Sequence, residues 1–243
     1  MPEIPWETFS LILLIFVVAA MTQGVMGFGF GIVAMTLLPF TLGLKDAIDL
    51  LAILNAAMMV FALYWQKGHF QWGEARNLLI GACLGIPIGV YMVYALPERI
   101  LIIILGATML FVSINYFLTG QRKARPRIGL AEIPIGMFSG VLAAGFNMGG
   151  PPVVAYAYSR NWTADQAKAV LASLFMVAGV SRLFFVGYTS ENLNLIFWLS
   201  GLLVIPSAIV LRLGIGLGRR MPHAFLRPIV FAYLAIIGTY YLF

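Results

Sequence analysis

One cysteine, Cys83, in 243 residues leaves no partner for an internal disulfide. Two histidines, His69 and His223, stand far apart and complete no zinc, haem or iron-sulfur spacing, so neither a metal nor a cofactor is expected. Charge is scarce too, at 10% of the chain. Asp46, Asp49, Glu74, Glu98, Glu132, Asp165 and Glu191 all fall within a few residues of a predicted helix boundary, which leaves no obvious carboxylate for a proton relay deep in a membrane. No nucleophile with its base, carboxylate pair or metal cluster converges at any predicted depth, which argues against an enzyme. The opening residues MPEIPWETF carry Glu3 and Glu7 and no basic group, so no cleavable signal peptide is expected and the N-terminus is expected to be mature.

What the chain has in excess is apolar surface: 62% of residues are hydrophobic, and the mean hydropathy is +0.97. A soluble domain of this length could not keep that much apolar surface from water, so the chain is expected to be an integral membrane protein. Its apolar runs are continuous and about 20 residues long, which fits helices and not the alternating strands of about 10 in a barrel. The sequence pI near 9.6 does not point to nucleic acid, because the basic residues sit in short loops between apolar runs, where they orient membrane proteins.

Six runs have ordinary spanning length: 47–66, 77–96, 98–118, 164–188, 193–211 and 224–243. Two longer ones, 9–43 and 128–157, carry glycine clusters in their middle, GVMGFGFG at 24–31 and GVLAAGFNMGGPP at 140–152. The order of signals then repeats. A glycine-broken segment is followed by an Ala-rich span (46–55, then 166–175), a mid-span proline (Pro87, then Pro206) and a loop proline before the last span (Pro97, then Pro222). The chain thus divides into two four-segment repeats, 1–118 and 128–243, joined by a linker at 119–127.

Charge decides how the broken segments lie. If all eight segments cross, the fifteen basic residues divide seven against eight between the two faces. If 9–43 and 128–157 each turn at their glycines and leave on the side they entered, only Lys45, Arg99 and Arg182 fall on one face and the other twelve Lys and Arg on the opposite one. The positive-inside rule favours the second arrangement. Each repeat then makes three crossings, so the second is inverted relative to the first, with both termini outside and the linker in the cytoplasm. The expected fold is an all-α polytopic membrane protein of two inverted repeats, each a re-entrant hairpin plus three transmembrane helices.

The tip of a re-entrant hairpin exposes unpaired amides that lipid cannot tolerate, so it must be buried in protein or line a cavity. Two such tips would meet near the midplane, each offering the positive end of an outgoing half-helix, where backbone N–H groups can hold a small anion. Gly27, Gly29, Phe30 and Gly31 mark the first candidate tip. Gly145, Asn147, Gly149, Gly150 and Pro151 mark the second. Asn55 and Ser173, near the middle of the Ala-rich spans, could face the tips or only bond between helices. Arg182, the one cation well inside a span, could contact the anion or snorkel to the headgroups. Thr22, Gln23 and Thr36 flank the first tip, where backbone capping is an alternative role. Glycines in membrane helices also serve close packing, and GVMGFGFG contains small-residue spacing that would do so.

GFGFG at 27–31 and GFNMGGPP at 145–152, each followed by an Ala-rich span, with the basic-aromatic loop QKGHFQW at 66–72 and a proline-bearing third span, resemble the sulfite exporter TauE/SafE family of membrane permeases over residues 10–243. The resemblance implies a bacterial or archaeal inner-membrane transporter of sulfite, sulfonates or other small organic anions. Its partners would be a small anionic substrate and the lipid bilayer, with no nucleic acid. An uptake permease or passive channel, a membrane-embedded enzyme and a structural subunit stand as alternatives, and the sequence neither requires nor excludes a homo-oligomer.

Overall fold

The computed structural model describes residues 5–65, 70–119, 129–158, 160, 162–186, 192–218 and 223–242. Among these every regular element is a helix, and no strand occurs. In chain order the α-helices are α1 (Trp6–Met26), α2 (Phe30–Leu37), α3 (Pro39–Leu42), α4 (Leu44–Trp65), α5 (Trp72–Ala95), α6 (Glu98–Thr119), α7 (Glu132–Phe146), α8 (Gly150–Tyr158), α9 (Ala164–Leu183), α10 (Leu193–Gly218) and α11 (His223–Leu242). Seven helices among the described residues are long and apolar enough to cross a membrane: α1, α4, α5, α6, α7 with its leading turn, α9 and α10. The apolar stretch Phe231–Leu242 of α11 is shorter. Residues 120–127 of the expected linker, 66–69 of the basic-aromatic loop and Pro222 lie outside the described residues.

The expected mid-span prolines, Pro87 and Pro206, sit inside α5 and α10, which continue past them. Where α9 begins, Thr163 and Gln166 form a reciprocal capping box: the Gln166 N–H donates to the Thr163 hydroxyl at 3.2 Å and the Thr163 N–H to Gln166 Oε1 at 2.9 Å.

Small residues set the helix packing. On α5, Gly81, Gly85 and Gly89 recur every four residues, and an added Cβ would fall 2.1, 2.0 and 2.3 Å from the carbonyl oxygens of Ile133, Met137 and Val141 on α7. Both series ascend together, so α5 and α7 run side by side in one direction with their backbones in contact. The α1–α10 pair repeats this arrangement: a Cβ on Gly24 would lie 2.5 Å from the Leu211 carbonyl oxygen, and one on Gly218 2.6 Å from that of Val25. Replacing Gly85 with Leu forces these backbones apart, and thermal unfolding in detergent should show a loss of at least about 3 kcal/mol. The same change at Gly201, which has open space around it, should leave stability nearly unchanged.

Polar contacts at the helix ends give the remaining directions. Asn192, just before α10, bonds Asp46 at the start of α4 at 2.8 Å, and Arg212, late in α10, lies 5.2 Å above the Trp65 ring at the end of α4. Glu98 opens α6 and accepts the Leu44 N–H at the start of α4, at 3.0 Å. At the other end, α5 starts beside α7 through Asn77, which donates to the Gly129 carbonyl at 3.0 Å. It starts beside α9 through Glu74, which accepts from Trp162 at 2.9 Å and pairs with Arg160 at 2.8 Å. The α4–α9 and α6–α11 pairs oppose. Ala56 meets Gly179 while Asp49 reaches forward to Arg182, and Gly106 meets Gly238 while Ser113 bonds the Phe231 carbonyl.

Candidate functional site

α1 stops at Gly27, whose φ of +82° and N–H bond to the Gln23 carbonyl at 2.7 Å form a left-handed cap. Two residues on, Gly29 has φ +112° and opens α2, so both positions favour glycine. α7 ends in the same way at Asn147, φ +55°, with the Asn147 and Met148 N–H groups bonded to the carbonyls of Ala143 and Leu142. The bond from Asn147 to Ala143 is the single-bond left-handed cap, of the same kind as that from Gly27 to Gln23. The two breaks therefore correspond as Gly27 to Asn147 and Gly29 to Gly149. A left-handed cap accepts Asn as well as Gly. Gly24 and Gly140 are helix-packing residues, and a Cβ on Gly140 would lie 2.4 Å from the Ala82 carbonyl oxygen. Gly145 likewise packs against α5, with a Cβ site 2.9 Å from Met92 Cε.

A single side chain braces the first break. Gln23, 3% exposed, donates from Nε2 to the Gly27 carbonyl at 3.0 Å, and its Oε1 accepts the Phe30 N–H at 3.1 Å. Capping is thus one role it fills. At the second break the Asn147 amide donates to the Ile48 carbonyl at 3.4 Å, and the Ser139 hydroxyl donates to the Gly149 carbonyl. Pro151 and Pro152 follow Gly150 in the first turn of α8. Proline has no N–H, so this helix start offers fewer donors than that of α2.

The two breaks touch. A Cβ on Gly31 would lie 1.9 Å from the Asn147 carbonyl oxygen, and one on Gly150 would lie 3.6 Å from Phe28 Cβ and 3.1 Å from the Phe175 ring. Phe30, 1% exposed, packs on Phe16 with ring centroids 5.7 Å apart. In this conformation the junction is closed, with no space for even a methyl group between Gly31 and Asn147. An open crevice of about 590 Å³ lies elsewhere, at the far end of the α2–α3 arm, lined by Phe40, Ile102, Thr239, Tyr240 and Tyr241.

Against this geometry, the family model described as "Sulfite exporter TauE/SafE" matches residues 11–241. The chain belongs to that family. It is also 24% identical over 227 residues to the "Probable sulfite/organosulfonate exporter TauE" of Cupriavidus necator, an alignment covering 89% of this chain and 87% of the relative. No solved structure matches it. As a TauE/SafE protein with seven candidate spans, the chain is a multi-pass membrane transport protein.

Within this TauE/SafE chain the remaining candidate residues are dispersed. Asn55, 3% exposed, lies on α4, one turn before Met59, whose sulfur is 3.9 Å from Gln23 Nε2. That places Asn55 on the face of α4 turned to the first break. Ser173 donates to the Val170 carbonyl of its own helix at 2.7 Å. Arg182 is 1% exposed and its guanidinium bonds Asp49 Oδ1 at 2.8 Å. A headgroup-seeking side chain would not be so enclosed, so the structure removes the snorkelling alternative. The partner was not legible: Asp49 sits only five residues into α4, near the predicted boundary, yet is 0% exposed.

Lys168 lies beside the first break, a placement the sequence did not suggest. From sequence it counts among the cations of a membrane face, near the start of the Ala-rich span. In the structure it is 8% exposed, and its Nζ donates to the Val25 carbonyl at 3.2 Å, in the last turn of α1. Its Cγ lies 2.2 Å from where a Cβ on Gly27 would be. Only a glycine at 27 leaves room for that stem.

Proposed function

We propose that this chain is an exporter of small anions such as sulfite, sulfonates or organic acids, and that the cargo is held near the midplane between the two chain breaks. The observation that carries the reading is the contact of Gly31 with Asn147. Two interruptions 120 residues apart in sequence come together in the protein centre, where main-chain amides can replace a hydration shell. Because the junction is closed, the breaks must part for the anion to enter, which makes this the occluded form of a gated site.

The same reading includes two inverted repeats with re-entrant hairpins. Its support lies in the helix directions: α1, α4, α6 and α10 share one, while α5, α7, α9 and α11 share the other. Every helix of the first repeat thus opposes its counterpart in the second. Since α1 and α4 point the same way, α2 and α3 must bring the chain back to the side where α1 began; α8 does so between α7 and α9. The hairpins are unequal, for α1 rises about 31 Å on its 21 residues and α2 about 12 Å on its eight.

Each hairpin is clamped to the third span of the other repeat, α1 on α10 and α7 on α5, so the moving bodies are these interlaced bundles and not the two sequence halves. Gating then occurs where the bundles meet, at the breaks and along α4–α9. The excess of basic loop residues that the sequence puts on one face supports a reading with the termini outside. An inside-negative potential adds about 2.3 kcal/mol per charge at 100 mV to anion efflux.

Topology is tested by single cysteines at Gly43 and Thr163 in a Cys83→Ser background. An impermeant maleimide added to intact cells should label position 43, and should label position 163 only after the membrane is opened. Labelling of both from the same side would contradict the hairpins.

A further inference from the structure

We propose that Asn55 is the side-chain ligand for the cargo anion, an assignment that rests on the reading that cargo binds between the breaks. Asn55 stands on a face of α4 that meets both of them. At one end of that face the Ile48 carbonyl accepts the Asn147 amide, and at the other the Met59 sulfur lies 3.9 Å from Gln23 Nε2. Positions seven and eleven residues past Ile48 return to within about 20° of it around a helix. Asn55 and Met59 therefore follow Ile48 in one line, with Asn55 about 10 Å past Ile48 and about 6 Å before Met59. Between those two contacts, Asn55 faces the seam where Gly31 meets Asn147.

Its amide is enclosed and unsatisfied. Asn55 is 3% exposed and has no hydrogen-bond partner among the described residues. Other polar side chains near the breaks are engaged. Gln23 bridges the Gly27 carbonyl and the Phe30 N–H, Ser139 bonds the Gly149 carbonyl, and Ser173 bonds its own helix. The buried cations Lys168 and Arg182 are held by other groups as well. An enclosed amide without a partner costs free energy that a leucine of similar shape would not. A departure of this kind belongs at a functional site, where a ligand completes the group.

Backbone donors lie across the seam. The first bond of α2 runs from the Val33 N–H to the Gly29 carbonyl at 2.9 Å, so the N–H groups of Gly31 and Ile32 have no acceptor within α2. Both residues are buried. When the breaks part, an oxyanion can accept from these amides at the positive end of α2 and from the two N–H bonds of Asn55 opposite. The class that suits this set is a compact anion with at least two oxygens on one centre, as sulfite, a sulfonate or a carboxylate has.

Asn55→Leu separates a ligand from a structural group, because the two roles move stability and affinity differently. Thermal unfolding of the purified variant in detergent should give a Tm at or above the parent's, since an unsatisfied amide has been removed. Sulfite efflux from vesicles should show KM raised by roughly tenfold or more. Added sulfite should also raise Tm less in the variant than in the parent, because a ligand stabilises the fold according to its affinity. A KM within about twofold of the parent's overturns the assignment. So does a fall in Tm, which would make the amide part of the fold. If Gly31→Leu blocks transport while Asn55→Leu keeps its KM, this assignment alone fails. If Gly31→Leu transports normally, the reading of the breaks fails with it.

Discussion

Replacing Arg182 with Met destabilises the protein by about 3–5 kcal/mol, because it leaves the Asp49 carboxylate charged and enclosed without its partner. Both side chains are essentially inaccessible, at 1% and 0%, so water cannot take over the lost contact. Asp49→Asn alone strands the guanidinium and carries a similar cost. The double variant Asp49→Asn with Arg182→Met removes both charges and should recover most of the loss, since a buried ion pair is often close to neutral against an uncharged pair of similar shape. Unfolding of the four proteins in detergent measures this as a double-mutant cycle, with a coupling term of a few kcal/mol. The outcome also bears on function. A guanidinium whose main task was to bind cargo would, when replaced, leave a stable protein with a raised KM. An ion pair that joins α4 to α9 would instead leave an unstable one.

Gly31→Leu produces the largest effect on transport, a loss of order 100-fold, comparable to that from displacing a reacting group by about 1 Å. The position has no room, since even a Cβ would stand 1.9 Å from the Asn147 carbonyl oxygen. The side chain must therefore wedge the two breaks apart and misplace the α2 start. Gly31 does not have the positive φ of Gly27 and Gly29, so the substitution adds bulk at the junction without straining the chain reversal. This separates it from Gly29→Leu, which is strained whatever the space. Efflux from vesicles, compared with Gly201→Leu as an equally bulky change in open space, reads the effect.

Much of this architecture was legible because a bilayer imposes few choices. Apolar runs of about 20 residues can only be helices, and glycine clusters inside runs too long for one crossing announced the breaks at 27–29 and 147–149. The unequal lengths of α1 and α2 were not legible, because nothing in an apolar run of residues 9–43 says that α1 takes 21 residues and α2 only eight. Glycine identity made Gly145 a site candidate, and its neighbours are Met92 and the α5 backbone.

The pairing of Arg182 with Asp49 joins residues 133 apart on different helices, a contact with no local signature. Lys168 was hidden for a related reason. Four residues past the start of α9 it resembles an interfacial lysine, and only the meeting of α9 with the end of α1 encloses it. A usable signal was present all the same, in a lysine on the Ala-rich span directly after the second break.

The account depends on two breaks that touch when the carrier is closed and separate to admit an anion. Phe28→Cys with Gly150→Cys, in a Cys83→Ser background, tests this directly, because the corresponding Cβ positions are 3.6 Å apart, within the range a disulfide spans. The oxidised protein should form the cross-link and release no sulfite from loaded vesicles, and reduction should restore efflux in the same preparation. Failure of the cross-link to form, or efflux that continues unchanged with the bond in place, would contradict the account.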